Sequence, residues 1–153
     1  EDVQATNVYW KQFIQRMRRQ FGGFKYLTVL EFQKRGAVHY HCLTDLPYVK
    51  QSLVQEIWAN GFVSGNRIKH VDNLGAYLVK YMTKDLSDPR MFGNKTYQCS
   101  KGLQRPEEFR GLEAEKVIAA LDLGQKKEVF TSSYPSEYLG LIRYKEYNLS
   151  REQ

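Results

Sequence analysis

The sequence is short of several residue types and patterns, and each shortage excludes a class of protein. Among 153 residues there are only 2 cysteines, Cys42 and Cys99, too far apart for a CxxC pair. This excludes a disulfide-rich scaffold and favours reduced thiols. There is no internal repeat, no signal-peptide pattern and no apolar run near the ~20 residues that a membrane helix needs. We therefore expect a cytoplasmic protein, in a bacterial host cell on the resemblance given below, with no membrane partner.

The composition is that of a folded, basic protein. Hydrophobic residues make up 42% and charged residues 26%, which excludes a disordered chain and fits one domain over residues 1–153. The net charge is +6, and there are 11 Tyr, 8 Phe and 2 Trp. Basic charge combined with aromatic rings suits a nucleic-acid-binding protein, although a structural basic protein remains an alternative.

Hydrophobic periodicity and turn residues predict an α+β fold with an antiparallel sheet. The first half reads as helix Thr6–Phe21 ending at Gly22, strands Lys25–Gln33 and Ala37–Asp45, helix Val49–Asn60 capped by Gly61, strand Phe62–Lys69, and helix Leu74–Leu86 capped by Asp72 or Asn73. The second half reads as strand Thr96–Cys99, helix Leu112–Leu123, and strands Lys127–Ser132 and Tyr138–Tyr147. Within the later helix, the predicted buried positions are Leu112, Val117, Ile118 and Leu121.

The segment between the first two strands sets their register. A three-residue loop, Lys34-Arg35-Gly36, places glycine at the left-handed position of a type I turn plus bulge. Glu31 then pairs with His39. A two-residue loop would put Glu31 opposite Tyr40, on the other face.

His39 and His41 share one face of their strand, because side chains alternate with a period of two. With Glu31 opposite, two nitrogen ligands and one oxygen ligand come together. This set suits a divalent metal that handles phosphate, Mn²⁺ or Mg²⁺, although imidazole also accepts Zn²⁺ or Ni²⁺. The alternative is a pair of packed or solvent-facing histidines with an edge-strand glutamate.

Tyr77 and Tyr81 are four residues apart, so a helix places them on one face with Lys80 and Lys84 alongside. A phenolate next to a cation is a competent nucleophile, whereas the alternative is that these tyrosines only pack in the core. Both tyrosines fit, and Tyr77 is the favoured nucleophile with Lys80 assisting.

Together these motifs resemble the HUH endonucleases, in particular the rolling-circle replication initiators of bacterial plasmids and phages. His39-Tyr40-His41 is similar to the family's His-hydrophobic-His motif, and Glu31 has the position of its third metal ligand. The run from Tyr77 to Tyr81 is similar to the two-tyrosine nucleophile motif. The family's first strand would precede Glu1, so that strand is missing from this chain or lies in a segment before it.

The resemblance implies metal-dependent nicking and joining of single-stranded origin DNA through a 5′-phosphotyrosine link. The origin DNA would carry a stem-loop, and host replication machinery would be a further partner. We expect DNA contacts at Lys34, Arg35, Arg67, Lys69 and Lys84, with His70 as an additional ligand or DNA contact.

Two other functions remain open at this point. One is a transposase or relaxase of the same superfamily, which shares the chemistry. The other is a binding module without catalysis, whose sheet stacks bases on Tyr26, Phe32 and Tyr40. A binding module would need no divalent ion and give no covalent product.

Overall fold

The computed structural model describes residues 3–68, 74–84, 88–123 and 128–149. The elements in chain order are α1 (Val3–Phe21), β1 (Tyr26–Phe32), β2 (Val38–Thr44), α2 (Gln51–Trp58), α3 (Leu74–Lys84), a 3₁₀ turn (Pro89–Met91), β3 (Tyr97–Cys99), α4 (Gly111–Leu121), β4 (Glu128–Ser136) and β5 (Gly140–Tyr147). The predicted α+β class with antiparallel sheets flanked by helices is confirmed.

The chain divides into two compact units, residues 1–104 and 105–153. The first holds a three-stranded antiparallel sheet in the order β2-β1-β3, and the second holds the two-stranded β4-β5 hairpin. The predicted single domain over 1–153 stays a prediction, since these units describe compactness rather than independent folding. Each unit is described separately below.

Helix α1 covers one face of the three-stranded sheet. Its apolar stripe buries Trp10, Phe13, Ile14 and Met17, and Trp10 stacks on Tyr40 of β2 with ring centres 4.8 Å apart. The helix begins at Val3, three residues before the predicted start, because Val3 joins a second buried group with Leu30, Phe32 and Met91. Gly22 ends it in the left-handed conformation, at φ 78°.

Helix α3 packs against the central strand β1. Leu78 of α3 is 2% exposed and Val29 of β1 is 0% exposed. Burying a Val or Leu side chain contributes about 1.5–3 kcal/mol. The sheet is therefore covered on both faces, and the α3 face is the one that carries Glu31, because Val29 and Glu31 are two residues apart on one strand.

The predicted strand Phe62–Lys69 is wrong over residues 62–68, which form no strand; Lys69 lies outside the described residues. Side chains of α2 take the backbone groups there: Gln51 Nε2 donates to the Val63 carbonyl at 2.7 Å, and the Val63 amide donates to Gln55 Oε1 at 3.1 Å. A strand ladder would need those same groups.

Two smaller differences concern helix ends. Helix α2 is shorter than predicted, and Ala59 rather than Gly61 holds the left-handed cap position, at φ 57°. The amide of Ala59 donates to the Gln55 carbonyl at 3.0 Å, so the helix ends two residues before that glycine. The proposed cap residues Asp72 and Asn73 lie outside the described residues, as does Leu86.

In the second unit, helix α4 forms as predicted but its apolar positions are not buried. Leu112 is 76% exposed, Ile118 53% and Leu121 38%, and Val117 is partly exposed. Periodicity identifies an apolar face but not whether another element covers it. Strand β4 extends to Ser136, and β5 begins at Gly140 rather than at Tyr138.

Candidate metal centre and tyrosine helix

The β1–β2 loop has the geometry that the site requires. Gly36 is left-handed at φ 85°, its amide donates to the Gln33 carbonyl at 2.7 Å, and the Gln33 amide donates to the Ala37 carbonyl at 2.9 Å. The three-residue loop is therefore confirmed. Glu31 pairs with His39 and Val29 with His41, as the register predicted.

Glu31, His39 and His41, hereafter the Glu-His-His cluster, each offer one ligand atom, and these atoms all lie within 4.8 Å of one another. Glu31 is 6% exposed, so its carboxylate needs a partner. That partner is His41, whose Nε2 lies 2.6 Å from Glu31 Oε2. The two imidazole rings have centres 4.5 Å apart.

The donor set fits a divalent cation. Two nitrogens and one carboxylate oxygen are ligands that Mn²⁺, Mg²⁺ and Zn²⁺ accept, at distances of about 2.0–2.2 Å. The 2.6 Å contact of Glu31 with His41 shares a proton between atoms that would both become ligands. Metal binding therefore displaces that proton. The metal's identity does not follow from the donor set.

Helix α3 brings its tyrosines to this cluster. The ring of Tyr81 stacks on His41 with centres 3.6 Å apart and planes at 18°. Tyr77 lies edge-on to Tyr81, with ring centres 5.8 Å apart. The spacing of four residues thus forms a continuous contact from the candidate metal ligand His41 to Tyr81 and on to Tyr77.

Lys80 lies beside both tyrosines, hereafter the tyrosine pair. Its Nζ is 4.1 Å from the ring centre of Tyr77 and 4.8 Å from that of Tyr81. The side-chain hydrogen bond with Tyr81 raises the pKa of Tyr77 above its usual 10, and the charge of Lys80 opposes this rise. Tyr77 is 40% exposed and is therefore accessible to a substrate.

The predicted DNA contacts are only partly described. Lys34 and Arg35 lie at the exposed hairpin tip, and Arg67 is exposed in a non-strand segment. Lys69 and His70 lie outside the described residues, as does the side chain of Lys84. Arg35 is the one that the structure links to the Glu-His-His cluster, through contacts of Gln33 with both Arg35 and His39.

Arg90 is a residue that the sequence analysis missed. Its guanidinium lies 3.7 Å from the centre of the Phe32 ring and bonds to Asp88, Nε to Oδ1 at 2.9 Å. These bonds lower the pKa of Asp88 to about 2. The available signal was the run Asp88-Pro89-Arg90, since Asp before Pro starts a tight turn.

The base-stacking alternative loses its platform. Phe32 is 5% exposed, Tyr40 stacks on Trp10, and Tyr26 packs beside Trp10 at 6.1 Å between ring centres. Helix α1 occupies that face of the sheet. These three rings are therefore core residues rather than a surface on which bases stack.

The family model for replication-associated proteins of the ORF2 type matches residues 1–86, more than half of the chain. The chain therefore belongs to this replication-associated protein family, which confirms at family level the expectation of a replication initiator. The matched segment contains both the Glu-His-His cluster and the tyrosine pair. No curated protein and no solved structure matches the chain. Among the described residues, no helix is long and apolar enough to cross a membrane.

Proposed function

We propose that this chain is an HUH-type endonuclease that nicks and rejoins single-stranded origin DNA to initiate rolling-circle replication. The observation that carries the proposal is the stacking of Tyr81 on His41, with ring centres 3.6 Å apart. It joins a three-ligand cluster to a helix bearing a second, accessible tyrosine. Family membership supports the replication role. The substrate is a single-stranded origin in a stem-loop, in the cytoplasm of the bacterial host.

A divalent ion, Mn²⁺ or Mg²⁺ held by the Glu-His-His cluster, would supply Lewis-acid polarisation of the scissile phosphate. The chain's own residues do the rest. Tyr77 Oη forms a bond to phosphorus while the bond from phosphorus to the 3′-oxygen breaks. The phenol proton goes to solvent and the departing 3′-oxygen takes up a proton, leaving a 5′-phosphotyrosine and a 3′-hydroxyl.

Lys80 has two effects in this step. Its charge opposes the rise in the pKa of Tyr77 and stabilises the phenolate, and it offsets charge on the transferring phosphate. Tyr81 holds the Tyr77 hydroxyl by a side-chain hydrogen bond. Rejoining reverses the step, with a 3′-hydroxyl attacking the phosphotyrosine. A second tyrosine would permit successive transfers.

The test is a denaturing gel after incubation with Mn²⁺ and single-stranded DNA that carries the origin of the chain's own replicon. The wild type should give a slow band that resists denaturant, and chelation of the metal should remove it. The double variant His39→Ala, His41→Ala should give no band. A band that persists in the double variant contradicts the metal centre, and no band from the wild type contradicts the proposed function.

A further inference from the structure

The β1–β2 hairpin tip adjoins a cavity that the activity described above does not use. This hairpin-tip cavity has a volume of about 430 Å³ and is lined by Arg35, Gly36, Ala37 and Arg90. Two guanidinium groups face one open space. Arginine presents a planar fork of donors that matches phosphate oxygens. The cavity therefore has the chemistry of a phosphodiester subsite.

The two arginines are held differently. Arg90 is fixed by Asp88, by its packing on Phe32 and by a contact of 3.5 Å from its terminal nitrogen to the Gly36 carbonyl. Asp88 also offsets one of the positive charges. Arg35 is exposed and bonds to one neutral group, with its Nε donating to Gln33 Oε1 at 3.1 Å. A phosphate can therefore replace the partner of Arg35 more readily than those of Arg90.

Gln33 links this cavity to the candidate metal centre. Because Arg35 occupies its Oε1, Gln33 turns its amide nitrogen toward His39, with Nε2 3.5 Å from Nδ1. An amide N–H can only donate, so Nδ1 accepts and the single proton of the neutral imidazole is on Nε2.

That arrangement opposes metal ligation by His39. A ligand nitrogen must present a lone pair to the cation. If Nε2 ligates, its proton moves to Nδ1, which then requires an acceptor; if Nδ1 ligates, the Gln33 amide must leave. Either way Gln33 has to turn, and turning breaks its bond with Arg35. The imidazole carries one proton in every case.

We propose that the hairpin-tip cavity binds a phosphodiester of single-stranded DNA, and that Arg35 and Gln33 couple this binding to metal affinity at His39. DNA that takes Arg35 releases Gln33, whose Oε1 can then accept from Nδ1–H. Gln33 and Arg35 are positioning residues. The inference rests on the proposed function for its substrate and its metal.

Titration calorimetry with Mn²⁺ tests the coupling, with and without a short oligothymidine as the phosphodiester probe. In the wild type, oligothymidine should tighten Mn²⁺ binding about tenfold, the scale of couplings through outer-shell partners. Arg35→Ala should bind Mn²⁺ about tenfold tighter than the wild type without DNA, and oligothymidine should add nothing. A residue with a merely structural role would not tighten metal binding when it is removed.

Three further variants exclude simpler causes. Arg35→Lys keeps the charge but loses the fixed fork, so it should behave like Arg35→Ala if the hydrogen bond matters, and like the wild type if only charge repulsion matters. Gln33→Glu offers acceptors to both neighbours and should tighten Mn²⁺ binding without DNA. Lys95→Ala removes an exposed charge of the same unit outside the cavity and should keep the wild-type response.

The outcomes separate the two claims. An unchanged DNA-induced shift in Arg35→Ala, or an Arg35→Lys variant that matches the wild type, overturns the coupling while leaving the nuclease proposal intact. If His39→Ala, His41→Ala binds Mn²⁺ as the wild type does, the metal centre itself is absent and the proposed function fails with it.

Discussion

The two compact units differ in what they bury and in the charge they carry. Among the described residues, every buried side chain lies in residues 1–104, whereas the second unit leaves Tyr138 92% and Leu139 77% exposed. Residues 1–104 carry 15 Lys and Arg against 8 Asp and Glu, a net +7; residues 105–153 carry 8 against 9, a net −1.

This difference indicates where the proposed chemistry resides. Rigid positioning of ligands requires a packed support, and phosphate binding requires positive charge; the first unit has both. The second unit has neither among its described residues. Matched substitutions in the two units can therefore break or sharpen the comparison, and they follow in order of expected effect.

The largest effect concerns the nucleophile. Tyr77→Phe removes the attacking oxygen and keeps the ring, so the covalent DNA adduct should fall to background. Tyr134→Phe makes the same change at a 52% exposed position of the second unit and should leave adduct formation unchanged. Densitometry of the denaturing gel gives both values. A Tyr77→Phe variant with full activity would mean that Tyr81 or another residue attacks.

The next effect concerns stability. Leu78→Ala opens a cavity at a 2% exposed position between α3 and the sheet and should cost about 2–5 kcal/mol of unfolding free energy. Leu112→Ala, at a 76% exposed position, should stay within about 0.5 kcal/mol. Urea unfolding followed by circular dichroism measures both. Equal losses would show that α4 is covered in solution.

A smaller effect separates two left-handed glycines. Gly36→Ala and Gly140→Ala, at φ 85° and 72°, should each cost about 1–2 kcal/mol, because a Cβ is strained in that conformation. Only Gly36→Ala should also weaken Mn²⁺ binding, since only that loop sets the register of Glu31 against His39. Calorimetry with Mn²⁺ distinguishes them, and equal Mn²⁺ affinities in the two variants would sink the register argument.

The smallest effect is in salt dependence. Lys34→Ala should reduce the slope of log affinity against log salt for single-stranded DNA by about 0.7, which corresponds to one lost phosphate contact. Lys116→Ala, an exposed lysine of the second unit, should not change the slope. Fluorescence anisotropy across a salt series gives the slopes. A change on Lys116→Ala would place DNA on the second unit as well.

The parts predicted from sequence are those that local rules determine. Gly36 and the two-residue period of a strand were enough to place Glu31 opposite His39, and the four-residue spacing put Tyr77 and Tyr81 on one helical face. The stacking of Tyr81 on His41 was expected only as a general approach of the helix to the site. Its geometry depends on how α3 packs on β1.

The parts that were missed depend on distant partners. Residues 62–68 have strand-like composition, but Gln51 and Gln55 occupy backbone groups there. Arg90 reaches Gly36 across 54 positions of sequence, which no local pattern signals. The exposed face of α4 has the periodicity of a buried helix. A period predicts an apolar face, and only tertiary packing decides whether it is covered.

Mass spectrometry of the protease-digested DNA adduct tests the central claim most directly, because it identifies the residue joined to DNA in the first unit. The account predicts a nucleotide 5′-phosphate on the peptide that contains Tyr77, formed only with Mn²⁺ or Mg²⁺ and absent from His39→Ala, His41→Ala. A nucleotide on a residue between 105 and 153, or an adduct that forms equally well without metal, would contradict it.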